Sequence, residues 1–300
     1  MYSSLMTRQA TVLADGVFFG EGPRWHDGRL WFSDFFAHAI KSVGEAGDVR
    51  IEVRTDDQPS GLGWLPDGRL QFVAMTSRTL RRVESDASVT TVADLSAYAP
   101  FHCNDMVVDS EGNAFIGHFG FNLDEWLVER GVQATIADHP VASVLRVTPD
   151  GVVSVAAADM HFPNGSVITP DGTTMIVAET LGFRLSAFDR AADGSLHNRR
   201  VWADLGARAP DGICLDADGH VWVANPLSPE CFLVANSPEG GDIIDSIDTG
   251  DPCFACMLGG HDGLTLFMLT APVSLAEVAS QAPRGHVRTA RVESPGAGRP

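Results

Sequence analysis

Residues 161–180 read HFPNGSVITPDGTTMIVAET. A polar residue after a proline, Asn164, leads into a short apolar run at 167–168. A tight Pro170-Asp171-Gly172 turn and a second β-rich run at 175–178 follow. Asp-Gly between two such runs is the signature of a β-hairpin. The pattern recurs, with turns at Asp27-Gly28, Asp67-Gly68, Glu111-Gly112, Asp171-Gly172, Asp218-Gly219 and Asp262-Gly263, each followed by an apolar or alternating run. Their mean spacing is about 47 residues, which suits one four-stranded blade of a β-propeller. Six turns predict an all-β chain folded as a six-bladed β-propeller around a central channel, one domain spanning residues 1–300.

Stepping back seven residues from the acidic turn residue gives Ser60, Asn104, Asn164, Asp211 and Ala255. In the first repeat the lead-in is one residue shorter and places Glu21 there. Equivalent positions in a propeller lie on one ring near one mouth of the channel. A lone Asn or Asp is an ordinary turn residue. Four oxygen-bearing side chains on one ring are better read as a site. Two carboxylates and two amide oxygens suit a hard divalent cation, Ca²⁺ most naturally, with Mg²⁺ or Mn²⁺ as alternatives. Zn²⁺ prefers nitrogen or sulfur donors.

Five short stretches carry a family resemblance: Glu21-Gly22-Pro23-Arg24-Trp25, Asn104-Asp105, Phe162-Pro163-Asn164-Gly165, Pro210-Asp211-Gly212 and Ala255-Cys256-Met257-Leu258-Gly259-Gly260. From about residue 12 to 293 the chain resembles the SMP-30/gluconolactonase/LRE-like family of six-bladed propeller hydrolases. The resemblance implies that Glu21, Asn164 and Asp211 bind one metal ion, and that Asn104 is a fourth ligand or faces the substrate. Family members can accept Zn²⁺, so the metal's identity stays open. The implied activity is metal-dependent opening of a lactone, a sugar-acid lactone among the candidates, with Asp211 as general base. A phosphotriesterase-like hydrolase and a non-catalytic metal-binding scaffold are the alternatives, because propellers host many functions. Many gluconolactonase-type members carry arginine two residues before the position of Asn104, where this chain has His102. Histidine offers fewer donors than a guanidinium fork and titrates near neutrality. Ser60 on the ring, and His118 and His161 near blade mouths, complete the candidates.

The resemblance implies a small-molecule lactone or ester as partner, and composition argues against nucleic acid and membranes. Lys and Arg number 21 against 39 Asp and Glu, a net charge of −18. Such a surface repels phosphate backbones and anionic membranes. The opening MYSSLMTRQA lacks the apolar core of a signal peptide, and no apolar run is long enough for a membrane helix. Five cysteines are few for this length and fit a reducing compartment, so a cytoplasmic location is expected. Cys253 and Cys256 form a CxxC, but residues three apart on a regular strand face opposite sides and cannot bridge. The reading is buried free thiols.

Between the third and fourth turns lies an insertion, about residues 118–141. Leu123, Trp126 and Leu127 form a helical stripe within it, and a lid beside the channel mouth is expected. Residues 1–10 should fray. Residues 10–18 have strand character, and the resemblance implies that they join the last blade and close the ring. Residues 273–282 read as a loop or helical turn, 285–292 as the last strand, and 294–300 as a flexible tail.

Overall fold

All six turns form. Their glycines, at 28, 68, 112, 172, 219 and 263, adopt φ between 73° and 85°, a region that costs glycine nothing because it has no Cβ. Asp171 shows how the acidic partner helps. Its carboxylate accepts the Thr173 N–H at 3.1 Å and the Thr169 hydroxyl at 2.6 Å, closing the loop locally.

The structure, a computed structural model, describes residues 8–237, 240–272 and 274–299. It is a six-bladed β-propeller. The innermost strands are Gly20–His26, Pro59–Trp64, Cys103–Val108, Pro163–Ile168, Ile213–Leu215 and Cys253–Gly259. Each leads outward through three antiparallel strands, as in Gly20–His26, Arg29–Asp34, Ala39–Val43 and Val49–Arg54 of blade 1. Blade 6 is completed by Thr11–Val17, which pairs with Gly285–Arg291. The ring thus closes on the N-terminal strand Thr11–Val17, so that neither it nor Gly285–Arg291 is left unpaired. Residues 1–7 of the stretch expected to fray lie outside the described residues. Arg8–Gln9 pair in parallel with Ile243–Asp248 as a fifth strand on blade 5.

Burial follows radius. Cys103–Val108 and Pro163–Ile168 are buried along their whole length, whereas Val49–Arg54 is mostly exposed. Between blades the faces interdigitate; Ile40, Leu62 and Phe72 form one such seam between blades 1 and 2. All five cysteines are free and buried. Strict alternation of faces does not hold across the CxxC, however. The register slips between Cys253 and Ala255, and both Cys253 and Cys256 enter one apolar cluster with Cys214 and Cys231.

That slip is one of a set. Register breaks also occur between Glu21 and Arg24, Pro59 and Leu62, Cys103 and Met106, and Pro163 and Ser166. Each lies at the start of an innermost strand, beside or across its ring residue. A bulge adds a residue and re-aims the side chain, here toward the channel. Glycines beside the ring let neighbouring strands close up. A Cβ on Gly165 would stand 2.6 Å from the Ile213 nitrogen and 2.7 Å from the Asp211 oxygen. Gly165→Ala should therefore force blades 4 and 5 apart and cost about 1–3 kcal/mol. Thermal melting checks this; an unchanged Tm would mean that the two strands are free to separate.

The insertion folds as two helices, α1 (Leu123–Arg130) and α2 (Val132–Ala137). Asn122 caps α1 by accepting the Glu125 N–H at 3.3 Å. The connection between the second and third strands of blade 6 carries a short helical turn, Ala276–Ala279. The tail, expected to be loose, is hydrogen-bonded across three blades at the channel end opposite the ring. Pro295 accepts from Ala217, Gly296 donates to Gly263, and Arg299 exchanges both backbone bonds with Ile168 at 2.7 and 2.9 Å. Low sequence complexity gave no sign of this, because the partners are backbone groups left free at blade ends.

Candidate active site

Glu21, Asn104, Asn164 and Asp211 converge where the innermost strands begin, and all four line one cavity. Each is between 6% and 8% exposed, so they meet solvent only through that cavity. Burial, followed by the charges of Asp211 and Asp105, pushes the Glu21 carboxyl well above its usual range. Burial and Asp105 do the same to Asp211. Two desolvated carboxyls facing each other need a proton or a cation between them. Asp211 Oδ1 is buried without a hydrogen-bond partner, a costly state for a carboxylate oxygen.

The amides complement this. Asn104 donates its Nδ2 to the Pro163 carbonyl at 3.4 Å, and Asn164 donates to the Thr180 hydroxyl at 3.2 Å. Two carboxylates and two amide carbonyls are a donor set that fits a hard divalent cation. Among the described residues no group of three or more His, Cys, Asp or Glu is placed to hold a metal. A resident ion would therefore depend on the asparagines for part of its shell.

The cavity above the ring has a volume of about 330 Å³. Two repeated positions build its wall. One lies two residues before the ring position: Phe19, Gln58, His102, Phe162 and Ala209 all line the cavity. Alternate strand residues share a face, so these side chains continue the ring face toward the mouth. The other position follows the second strand of a blade and contributes Phe35, Met75, Phe119, Thr180 and Pro226. The roof comes from Leu123, Leu127, Val132 and Ile136 of the helical insertion, with Ala276 beside them. Asp124 fastens the roof by accepting the Ala276 N–H at 3.2 Å.

A family model for the SMP-30/Gluconolactonase/LRE-like region matches residues 19–272. The chain belongs to that family. Among its relatives is a regucalcin of Xenopus laevis, 26% identical over 276 residues, covering 87% of this chain and 85% of the relative. A gluconolactonase of Zymomonas mobilis is 24% identical over 288 residues, with 86% and 77% covered. The solved structure of a calcium-binding regucalcin from Agrobacterium tumefaciens superposes with a TM-score of 0.77 at 20% identity, covering 99% of this chain and 97% of that one. This last likeness shows the fold.

Within this SMP-30/gluconolactonase propeller the remaining candidates separate. His102 lines the cavity and stacks on Phe101 with ring centroids 3.9 Å apart. Burial lowers its pKa below the ordinary imidazole value, which favours the neutral ring. Ser60, His118 and His161 do not line the cavity. Ser60 is 1% exposed, and its carbonyl accepts the Ser33 hydroxyl. His118 accepts the Ser143 N–H at 3.0 Å, and burial lowers its pKa to about 4. His161 Nδ1 lies 3.0 Å from His139 Nε2, outside the cavity.

Sequence reasoning missed Asp105 and Arg24, which share the channel below the ring. Arg24 Nη2 donates to Asp105 Oδ1 at 3.0 Å, and both side chains are buried. Both residues stand inside the quoted family stretches, yet nothing in their spacing reveals that they pair. Part of the phenylalanine wall, Phe19 and Phe162, was legible in principle two residues upstream of Glu21 and Asn164.

Proposed function

We propose that this chain is a metal-dependent hydrolase that opens lactones at the Glu21–Asn104–Asn164–Asp211 ring. The observation that carries the reading is the buried, unpartnered Asp211 Oδ1 at the floor of a roofed cavity. The gluconolactonase relative supports the reaction class. When bound, a hard divalent cation, Ca²⁺ most naturally, supplies Lewis-acid polarisation of an ester carbonyl and lowers the pKa of water.

The protein's own groups do the rest. Asp211, ionised once its charge is compensated, takes a proton from the attacking water. The water oxygen bonds to the carbonyl carbon, and the ring C–O bond breaks. The proton passes to the departing alkoxide, so lactone plus water gives one hydroxy acid. Asn104 and Asn164, with their amide nitrogens held by Pro163 and Thr180, present pre-oriented carbonyl oxygens. The roof keeps bulk water away. The free buried thiols fit a reducing compartment, in keeping with a cytoplasmic enzyme.

A panel of lactones, aryl esters and organophosphates, assayed with and without chelator, tests the reading. The expected result is lactone turnover that chelator abolishes and Ca²⁺ restores. Turnover of organophosphates alone would replace it with a phosphotriesterase. No turnover, with cation bound, would make the ring a structural metal site.

His102 sets up a specificity prediction. His102→Arg puts a charged five-donor fork where an imidazole ring now stacks on Phe101. The ratio of kcat/KM for glucono-δ-lactone to that for an alkyl lactone should rise about tenfold, the worth of one added hydrogen bond. An unchanged ratio would show that His102 does not contact substrate.

A further inference from the structure

The ring is polar, but the room above it is not. Phe19, Phe35, Phe119, Phe162 and Phe254 form the wall, and Leu127 and Ile136 face it from the roof. Phe119 packs against Phe162 with centroids 4.7 Å apart, and Phe19 against Phe254 at 4.6 Å. The wall is therefore a continuous apolar surface, not isolated rings. No lysine or arginine is among the described residues that line it.

Of the six polar side chains on the wall outside the ring, three are committed to the protein. Asp124 accepts the Ala276 N–H at 3.2 Å. The Thr135 hydroxyl donates to the Gly131 carbonyl at 2.9 Å and lies 3.3 Å from that of Trp126. Thr180 Oγ1 is taken by Asn164 at 3.2 Å. Gln58, His102 and Ser274 are left. A sugar lactone carries several hydroxyls around its ring, and each one buried without a partner is penalised. An apolar arm in the same place gains from every square ångström it hides.

Building on the lactonase reading, we infer that the site takes a neutral lactone bearing one apolar alkyl or aryl arm, not a polyhydroxylated sugar lactone. The ester sits at the ring and the arm lies along the phenylalanine wall under α1 and α2. Hydrolysis consumes one water, breaks the ring C–O bond and releases a hydroxy acid that keeps the arm. A volume of about 330 Å³ is at the small end of the range for small-molecule sites, so the arm is short.

The test is a series of γ-lactones with methyl, propyl, pentyl and phenyl groups on the ring carbon next to oxygen, run beside glucono-δ-lactone with saturating Ca²⁺. In parallel, calorimetry measures binding of the matching γ-lactams, which resist hydrolysis, and of a polyhydroxylated lactam. From methyl to pentyl, kcat/KM should rise about thirtyfold or more, chiefly through KM, at roughly fourfold per methylene with between two and three of the four added methylenes buried under the roof. The pentyl lactam should bind more tightly than the hydroxylated one. Leu127→Asn and Ile136→Asn, both half-buried on the roof, should flatten the chain-length dependence by about tenfold.

A flat series, or glucono-δ-lactone as the best substrate, overturns the inference and leaves the lactonase standing. Equal or weaker binding of the pentyl lactam overturns it whatever the turnover. Ordered lactam binding with no lactone hydrolysed supports the apolar-arm site and overturns the hydrolase reading instead.

Discussion

Asp211→Asn should lower kcat on the best lactone by about a hundredfold or more, the usual worth of a general base. The substitution keeps the shape and one oxygen donor. It removes one of two carboxylates from the ring, so cation affinity should also fall, because charge count tunes affinity for hard cations. The two losses separate in a metal titration. Saturating Ca²⁺ should restore occupancy, read by calorimetry, without restoring turnover, because an amide does not accept a proton near neutral pH. The fold should survive, since the variant retires a buried group that burial and the charge of Asp105 already disfavour as an anion. Full recovery of kcat with excess metal would reduce Asp211 to a ligand and move the base elsewhere.

Arg24→Ala should be the most destabilising single change considered, costing about 3–5 kcal/mol. Arg24 is 4% exposed. Its guanidinium donates to the Leu62 carbonyl at 3.0 Å, the Pro23 carbonyl at 2.7 Å, Asp105 at 3.0 Å and the Met106 carbonyl. It thereby ties the innermost strands of blades 1, 2 and 3 across the channel. Truncation leaves Asp105 buried and unpaired beside Glu21 and Asp211, which already feel its charge. At about 2–4 °C per kcal/mol for a chain of this size, Tm should drop by roughly 10 °C. Asp105→Asn in the same chain should recover part of the loss, since the stranded charge is then gone. A double variant no more stable than Arg24→Ala would show that the lost carbonyl contacts, not the stranded charge, carry the cost.

How much was legible depends on the range of the interaction. The blade repeat was readable because each Asp-Gly turn is a local device. A left-handed glycine such as Gly172, with φ of 73°, and an aspartate two residues from its partner are decided within a few residues. Gly165 belongs to an intermediate case. It stood in a quoted stretch, yet its purpose is the close approach of Ile213 on the next blade, whose nitrogen a Cβ at 165 would meet at 2.6 Å, invisible along one strand. The CxxC shows where local reasoning failed. Strict alternation separates Cys253 from Cys256, but the slip at Cys253 brings both thiols into one cluster. Such slips depend on where the neighbouring strand lies.

The sequence by itself determined the number of blades and the positions that share one ring. Those follow from repeat spacing and from the strand period of two. Only the tertiary structure decided what the ring faces. The insertion's helices fold over the mouth because Asp124 finds the Ala276 nitrogen, 152 residues away in sequence. The phenylalanines become a wall because two repeated positions from different blades meet around one axis. Arg24 becomes a buried tie only when the innermost strands of three blades surround it. Contacts between blades join residues that no local pattern relates, so neither period nor propensity records them.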